Sequence, residues 1–272
     1  MPSFGNKLNQ LVQGSRSQLF FQGEMTQLTY ISYEQLVASV NAGNHEEYTF
    51  QYPIGYGANH QIINGEQKYS KQDLLDRAAY LANRKLPIDN IYQLVTITET
   101  LLNDLIRLVL IEYPHKISNK RKLNAEIVLE AESLEKVKLH IVDAIVNDLA
   151  YKSPTEYSES FKEIIGVNLL EEPVYHKYIE LKATRDIHIH NKGIANEIYG
   201  GKAKTLARVK AGKALPVDMV YFLESYEACI QLNEFLEKEL DSTWPSEEFR
   251  NRKTTVKEQK MATIEEALTE EE

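Results

Sequence analysis

The stretch Ile91-Tyr92-Gln93-Leu94-Val95-Thr96-Ile97-Thr98-Glu99-Thr100-Leu101-Leu102-Asn103-Asp104-Leu105-Ile106-Arg107-Leu108-Val109-Leu110 decides the fold class. Ile91, Leu94, Val95, Ile97, Thr98, Leu101, Leu102, Leu105, Ile106, Val109 and Leu110 recur at intervals of three and four, the period of a helix face rather than the alternation of a strand. The stripe is broad, so this helix belongs at the centre of the fold, with Pro114 ending it. Working outward, Ser70 and Asp73 resemble a capping box ahead of Leu74, Leu75, Ala78 and Leu81, a short helix that Pro87 stops. Downstream, after a basic turn from Lys116 to Lys122, apolar periodicity predicts helices over 127–149, 157–165, 174–190 and 217–240. The last of these is opened by Pro216, and Trp244-Pro245 ends the fold.

The flanks read differently. Residues 1 to about 45 are rich in Gln, Asn, Gly and Ser and predict a loosely ordered arm with one short helix, Tyr33 to Val40. Tyr48-Thr49-Phe50-Gln51-Tyr52-Pro53 and Ile62-Ile63-Asn64-Gly65, separated by Gly55 and Gly57, predict a small β-hairpin. Beyond 245 the chain is charged and poor in large apolar residues, which predicts a mobile tail. The expectation is a mainly α chain: an N-terminal region over 1–69 that holds the hairpin, an antiparallel helical bundle over 70–245, and a tail over 246–272.

Composition narrows the function. Hydrophobic content of 43% with 26% charged residues suits a chain that buries a sizeable core and argues against wholesale disorder. No stretch approaches the roughly 18 uncharged apolar residues of a membrane span, and the first residues lack a signal-peptide core, so the expectation is a cytoplasmic protein with no membrane partner. The single cysteine, Cys229, sits in an amphipathic run and predicts a buried, inert thiol. A net charge of −9 argues against a protein that grips long nucleic acid over its whole surface. The charge is uneven, however: between Val174 and Leu215 nine Lys and Arg face only Glu180, Asp186 and Glu197, a local +6.

Inside that basic run lies Arg185-Asp186-Ile187-His188-Ile189-His190-Asn191, at the C-terminal end of a predicted helix closed by Asn191 and Gly193. At about 100° per residue Asp186 and His190 share a face, so the carboxylate can hold one imidazole nitrogen and leave the other as an oriented general base. The Arg185 guanidinium, on its long stem, can reach the same groove. Metal-independent RNA cleavage needs a base for the 2'-hydroxyl proton, a cation for the phosphorane and an acid for the 5'-oxygen. Histidine and arginine supply these near neutral pH. One helix carries one histidine on the Asp186 face, so a homodimer that pairs two such helices completes the set, while His188 faces elsewhere and reads as structural.

The longer stretch Ala183-Thr184-Arg185-Asp186-Ile187-His188-Ile189-His190-Asn191-Lys192-Gly193-Ile194-Ala195-Asn196-Glu197-Ile198-Tyr199 resembles the signature of the HEPN family. The likeness rests on Arg, four residues, then His, with a polar residue after the Arg, followed by His-Asn-x-Gly and Asn-Glu-x-Tyr. It extends to the helical order from about Leu86 to Trp244, a little over half of the chain. The resemblance implies an all-helical bundle and a metal-independent endoribonuclease that acts as a homodimer without a cofactor. It also implies a setting of bacterial antiviral defence or toxin–antitoxin systems, in which a regulatory protein or antitoxin is a partner. Carried onto this sequence, Arg185, Asp186 and His190 are the catalytic candidates. Asn191, Lys192 and Lys182 are the candidate RNA-binding neighbours. Lys192 stands where some toxin members carry a tyrosine, so control through such a tyrosine is not implied here.

Two other readings stay open on the residues alone. The same helix can serve a non-catalytic module that binds a nucleotide or RNA or simply dimerises. Alternatively, Ile187-His188-Ile189-His190 alternates like a strand, and a His-x-His pair there is a familiar metal-ligand spacing of metallohydrolases. Glu265 to Glu272 also suggest an acidic tail that shields the basic groove. The RNA target, read as a single-stranded loop such as an anticodon, rests on general RNA-recognition chemistry.

Overall fold

Residues 3–117 and 131–253 are described by a computed structural model. Over them the chain is mainly helical, with one two-stranded antiparallel sheet. Among the described residues no helix is long and apolar enough to cross a membrane. The rest of the basic turn beyond Ile117, the start of the helix expected at Ile127 and the acidic segment Glu265 to Glu272 lie outside the described residues.

The expected loose arm over residues 1–45 is overturned. Ser3 accepts the Asn6 N–H, and helix α1 runs from Phe4 to Ala42. Leu8, Val12 and Leu19 form a sparse apolar stripe and are at most 1% exposed. The helix also buries polar residues, and Asn6, Asn9 and Gln22 are each met by a distant partner. The Ser246 hydroxyl donates to Asn6 Oδ1 at 2.9 Å, the Arg252 guanidinium donates to Asn9 Oδ1 at 2.8 Å, and the Gln22 amide donates to Asn90 Oδ1. Arg16 pairs with Glu237 at 2.8 Å. A buried amide with a partner costs little, whereas one without would cost about 1–3 kcal/mol, so this polar helix is stable only against this surface. Those contacts also correct the expected end of the fold at Trp244-Pro245, because Ser246 and Arg252 fasten residues 246–253 onto α1. A methyl group added at Gly5 would lie 2.1 Å from the Pro245 carbonyl oxygen. Gly5→Ala is therefore expected to destabilise the protein by about 1–3 kcal/mol, read as a lower Tm in thermal unfolding.

The hairpin forms as expected: β1 (Glu47–Tyr56) pairs with β2 (Ile62–Ser70), with Tyr48 opposite Tyr69 and a register shift between Pro53 and Gly55. Most of its side chains are exposed on both faces, so it lies outside the core. Ser70 then caps α2 (Lys71–Tyr80) by accepting the Asp73 N–H. Pro87 does not stop the chain, contrary to expectation. A wider, π-type turn over Leu81–Lys85 leads straight into α3 (Leu86–Glu112), with Pro87 in its first turn. The backbone is helical on both sides of Pro87, with the Leu86 N–H bonded to the Leu81 carbonyl five residues back, and this wider spacing is what accommodates a proline that carries no N–H.

Helix α3 is the centre the sequence indicates: Ile91, Leu94, Val95, Leu105, Ile106, Val109 and Leu110 are all fully buried. Around it pack α1, α4 (Leu134–Ala150), α5 (Pro154–Ile165), α6 (Pro173–His190) and α8 (Met219–Thr243). Pro154 opens α5 rather than ending α4, and Ser153 and Glu156 form a full capping box there. The packing of α3 against α6 brings the middle of the central helix to the Arg185 motif. Cys229 on α8 is 1% exposed, and burial pushes its thiol up to about 12, which makes it the inert thiol expected.

Candidate functional site

Helix α6 ends where the sequence places its stop. The Ile187 carbonyl accepts the N–H groups of Asn191 and Gly193, at 2.9 and 3.1 Å, while Lys192 and Gly193 take left-handed φ values of 52° and 76°. The chain then folds back, with Leu215 N–H donating to Gly193 O at 2.8 Å and Ile194 bridging Ala214. His188 and His190 thus stand on a helix, which removes the strand geometry on which the His-x-His metal reading rested. Among the described residues no three His, Cys, Asp or Glu side chains converge as a ligand group.

His188 is structural: its Nε2 lies 3.0 Å from the Leu215 carbonyl, beside Gly193, and fixes the returning loop. Burial lowers its pKa below the ordinary 6.5, with the Leu215 hydrogen bond opposing in part. Because the unfolded chain takes up this proton first, the contribution is intact above about 6.5 and is lost as the pH falls toward the lower folded value. The Tm of the intact protein is expected to drop more between pH 7.5 and 5.5 than that of His188→Gln; equal drops would refute the assignment.

Beneath this loop lies a buried network that the sequence did not reveal. Glu180 is 6% exposed and accepts hydrogen bonds from Thr184 (2.8 Å), Tyr199 (2.8 Å), Tyr221 (2.7 Å) and Arg208 Nε (3.1 Å). The Arg208 guanidinium also stacks 3.6 Å over the Tyr221 ring and donates to Thr184 and the Pro216 carbonyl. Burial disfavours its charge, but Tyr221 and Glu180 more than compensate and raise its pKa. Arg208, one of the nine cations counted in the basic run, is the counterion that fastens the loop to α6.

The motif itself opens on a cleft of about 650 Å³ between α3, α6 and the turn joining α4 to α5. Arg185, Asp186, His190 and Lys182 all line it, as does Lys202 from the short helix α7 (Glu197–Ala203). Glu99 on α3 holds two of the cations, Lys182 Nζ at 2.6 Å and Arg185 Nη2 at 2.9 Å. The expected Asp186–His190 hydrogen bond is not made. Asp186 is turned to Lys202 at 3.2 Å and lies 3.1 Å from Arg185 Nε, where it is close enough to pair but not aligned to accept the N–H. Lys202 and Arg185 draw the carboxylate away from the imidazole, which is why the orienting role falls away. His190 is exposed at the cleft rim, without a hydrogen bond among the described residues.

The three neighbours expected to bind RNA are split. Lys182 lies in the cleft. Asn191 lines a shallower depression on the far side of His190 and uses its amide to donate to the Ile194 carbonyl. Lys192 is exposed on the left-handed turn and lines neither cavity. Sequence reasoning missed Glu99 and the tyrosines 157, 175 and 178 that line the same cleft. The only signal for Glu99 was a carboxylate bordering the apolar stripe of α3. No family model, curated protein or solved structure matches this chain.

Proposed function

We propose that this chain is a metal-independent endoribonuclease of the HEPN type, its helices forming an HEPN-like antiparallel bundle and its active site composite between two copies. The observation that carries the reading is that Arg185 and His190, with four residues between them in the motif, open on one cleft with Lys182 and Lys202. In that reaction the 2'-hydroxyl gives its proton to one His190 as its oxygen attacks phosphorus. Arg185 stabilises the added negative charge, and the 5'-oxygen leaves with a proton from His190 of the second copy. A 2',3'-cyclic phosphate and a 5'-hydroxyl result. The exposed side chains of Ile189, Ile194 and Ile198 beside His190 supply an apolar rim for self-association. A role in defence or toxin–antitoxin systems, a protein regulator and a cytoplasmic setting belong to the same proposal.

A second reading, a non-catalytic nucleotide or RNA-binding module, is favoured by the pairing of both Lys182 and Arg185 with Glu99 and by the lack, among the described residues, of a carboxylate on His190. Incubation of the intact protein with a cellular RNA pool in excess chelator separates the two. Cyclic-phosphate ends are expected for the nuclease; RNA bound but left uncut would establish the binding module instead.

A further inference from the structure

The cleft has more in it than the motif uses. Its volume of about 650 Å³ falls within the roughly 300–1,000 Å³ of small-molecule sites. Among the described residues Lys152, Lys182, Arg185 and Lys202 line it against Glu99 and Asp186, so it is a positive hollow on a chain of net charge −9. Such a balance selects an anion. The wall facing α6 has a different chemistry. Tyr151, in the turn between α4 and α5, is an aromatic side chain left 92% exposed at the rim. Asn103 accepts the Tyr157 hydroxyl at 3.4 Å on its oxygen, and its NH2 has no partner among the described residues. At the floor Tyr178 is 3% exposed with a hydroxyl that has no hydrogen-bond partner among the described residues, and burial raises its pKa so that it stays a neutral donor.

We infer that the cleft holds one nucleoside phosphate unit, its phosphate among Lys182, Arg185 and Lys202 and its base against Tyr151 and Asn103. An exposed ring offers a face to any base, an amide offers its donors to a base edge, and the cations carried by α6 and α7 take the phosphate. The inference leans on the ribonuclease reading only in taking the anion as a nucleotide's. The Tyr151–Ser153 turn is then the specificity wall of the site. Pocketing of one base limits the substrate to single-stranded or looped RNA, because a paired base cannot leave its stack without cost.

The test is calorimetric binding of uridine and adenosine 3'-monophosphates, ribose 5-phosphate, inorganic phosphate and a short 2'-O-methyl single-stranded RNA that cannot be cut. At least one nucleotide is expected to bind about tenfold or more tightly than ribose 5-phosphate, and Tyr151→Ala to erase most of that gap with an unchanged Tm. Asn103→Ala should alter the preference between the two bases. A further gain for the RNA over the nucleotides makes the unit part of a chain, and no gain makes it a free nucleotide; both support the base site. Equal binding of nucleotides and ribose 5-phosphate, or a Tyr151→Ala protein that keeps the full gap, overturns it. Cleavage by the intact protein is scored separately. A preference for nucleotide over ribose 5-phosphate without cutting sinks the nuclease reading and leaves the base site, whereas cutting without that preference does the reverse.

Discussion

Replacing His190 with alanine is expected to slow RNA cleavage by about 10²–10⁴-fold, the range over which a positioned acid or base acts. The residue is well suited to the test. It is exposed at the last turn of α6 and its side chain has no hydrogen bond among the described residues, so its loss should leave Tm, helical signal and oligomeric mass unchanged. Arg185 is a poorer probe, since it is one of two cations on Glu99, and its removal leaves that half-buried carboxylate with Lys182 alone. If cleavage by His190→Ala in excess chelator stays within about twofold of the intact protein, His190 is not the proton carrier. The endoribonuclease mechanism given above then fails at its first step.

The largest stability effect is expected away from the chemistry, at Glu180. Glu180→Ala removes the acceptor of four hydrogen bonds and leaves the Arg208 charge in a half-buried site without its counterion. Breaking a buried pair from one side costs about 3–5 kcal/mol, which in a chain of this size lowers Tm by roughly 10 °C. Because the network ties residues 197–217 to α6, proteolysis should then begin in that loop. The double replacement Glu180→Leu with Arg208→Met should recover part of the loss, since no charge is left unpaired. A Glu180→Ala protein that melts within about 1 °C of the intact one would show that the network contributes little.

The longer helices from α2 onward were legible because apolar residues at three and four, with Ser, Pro and Gly at the ends, are local signals that act through backbone geometry, whereas the short α7 was not foreseen. The same reading failed on α1, where Asn6, Asn9 and Gln22 look like surface residues until Ser246, Arg252 and Asn90 are brought to them. It failed again at Pro87, whose effect depends on the turn that precedes it.

For the candidate site, sequence alone determined that Arg185, Asp186 and His190 stand together at the end of one helix in a basic stretch, because their spacing is set by the helical period. Which charges remain available there was decided only by the tertiary structure. Glu99 reaches Lys182 and Arg185 from 83 and 86 residues away, Lys202 takes Asp186 from His190, and Arg208 withdraws to Glu180. Electrostatic partners are chosen by distance in space, which one-dimensional spacing does not encode beyond a single helix.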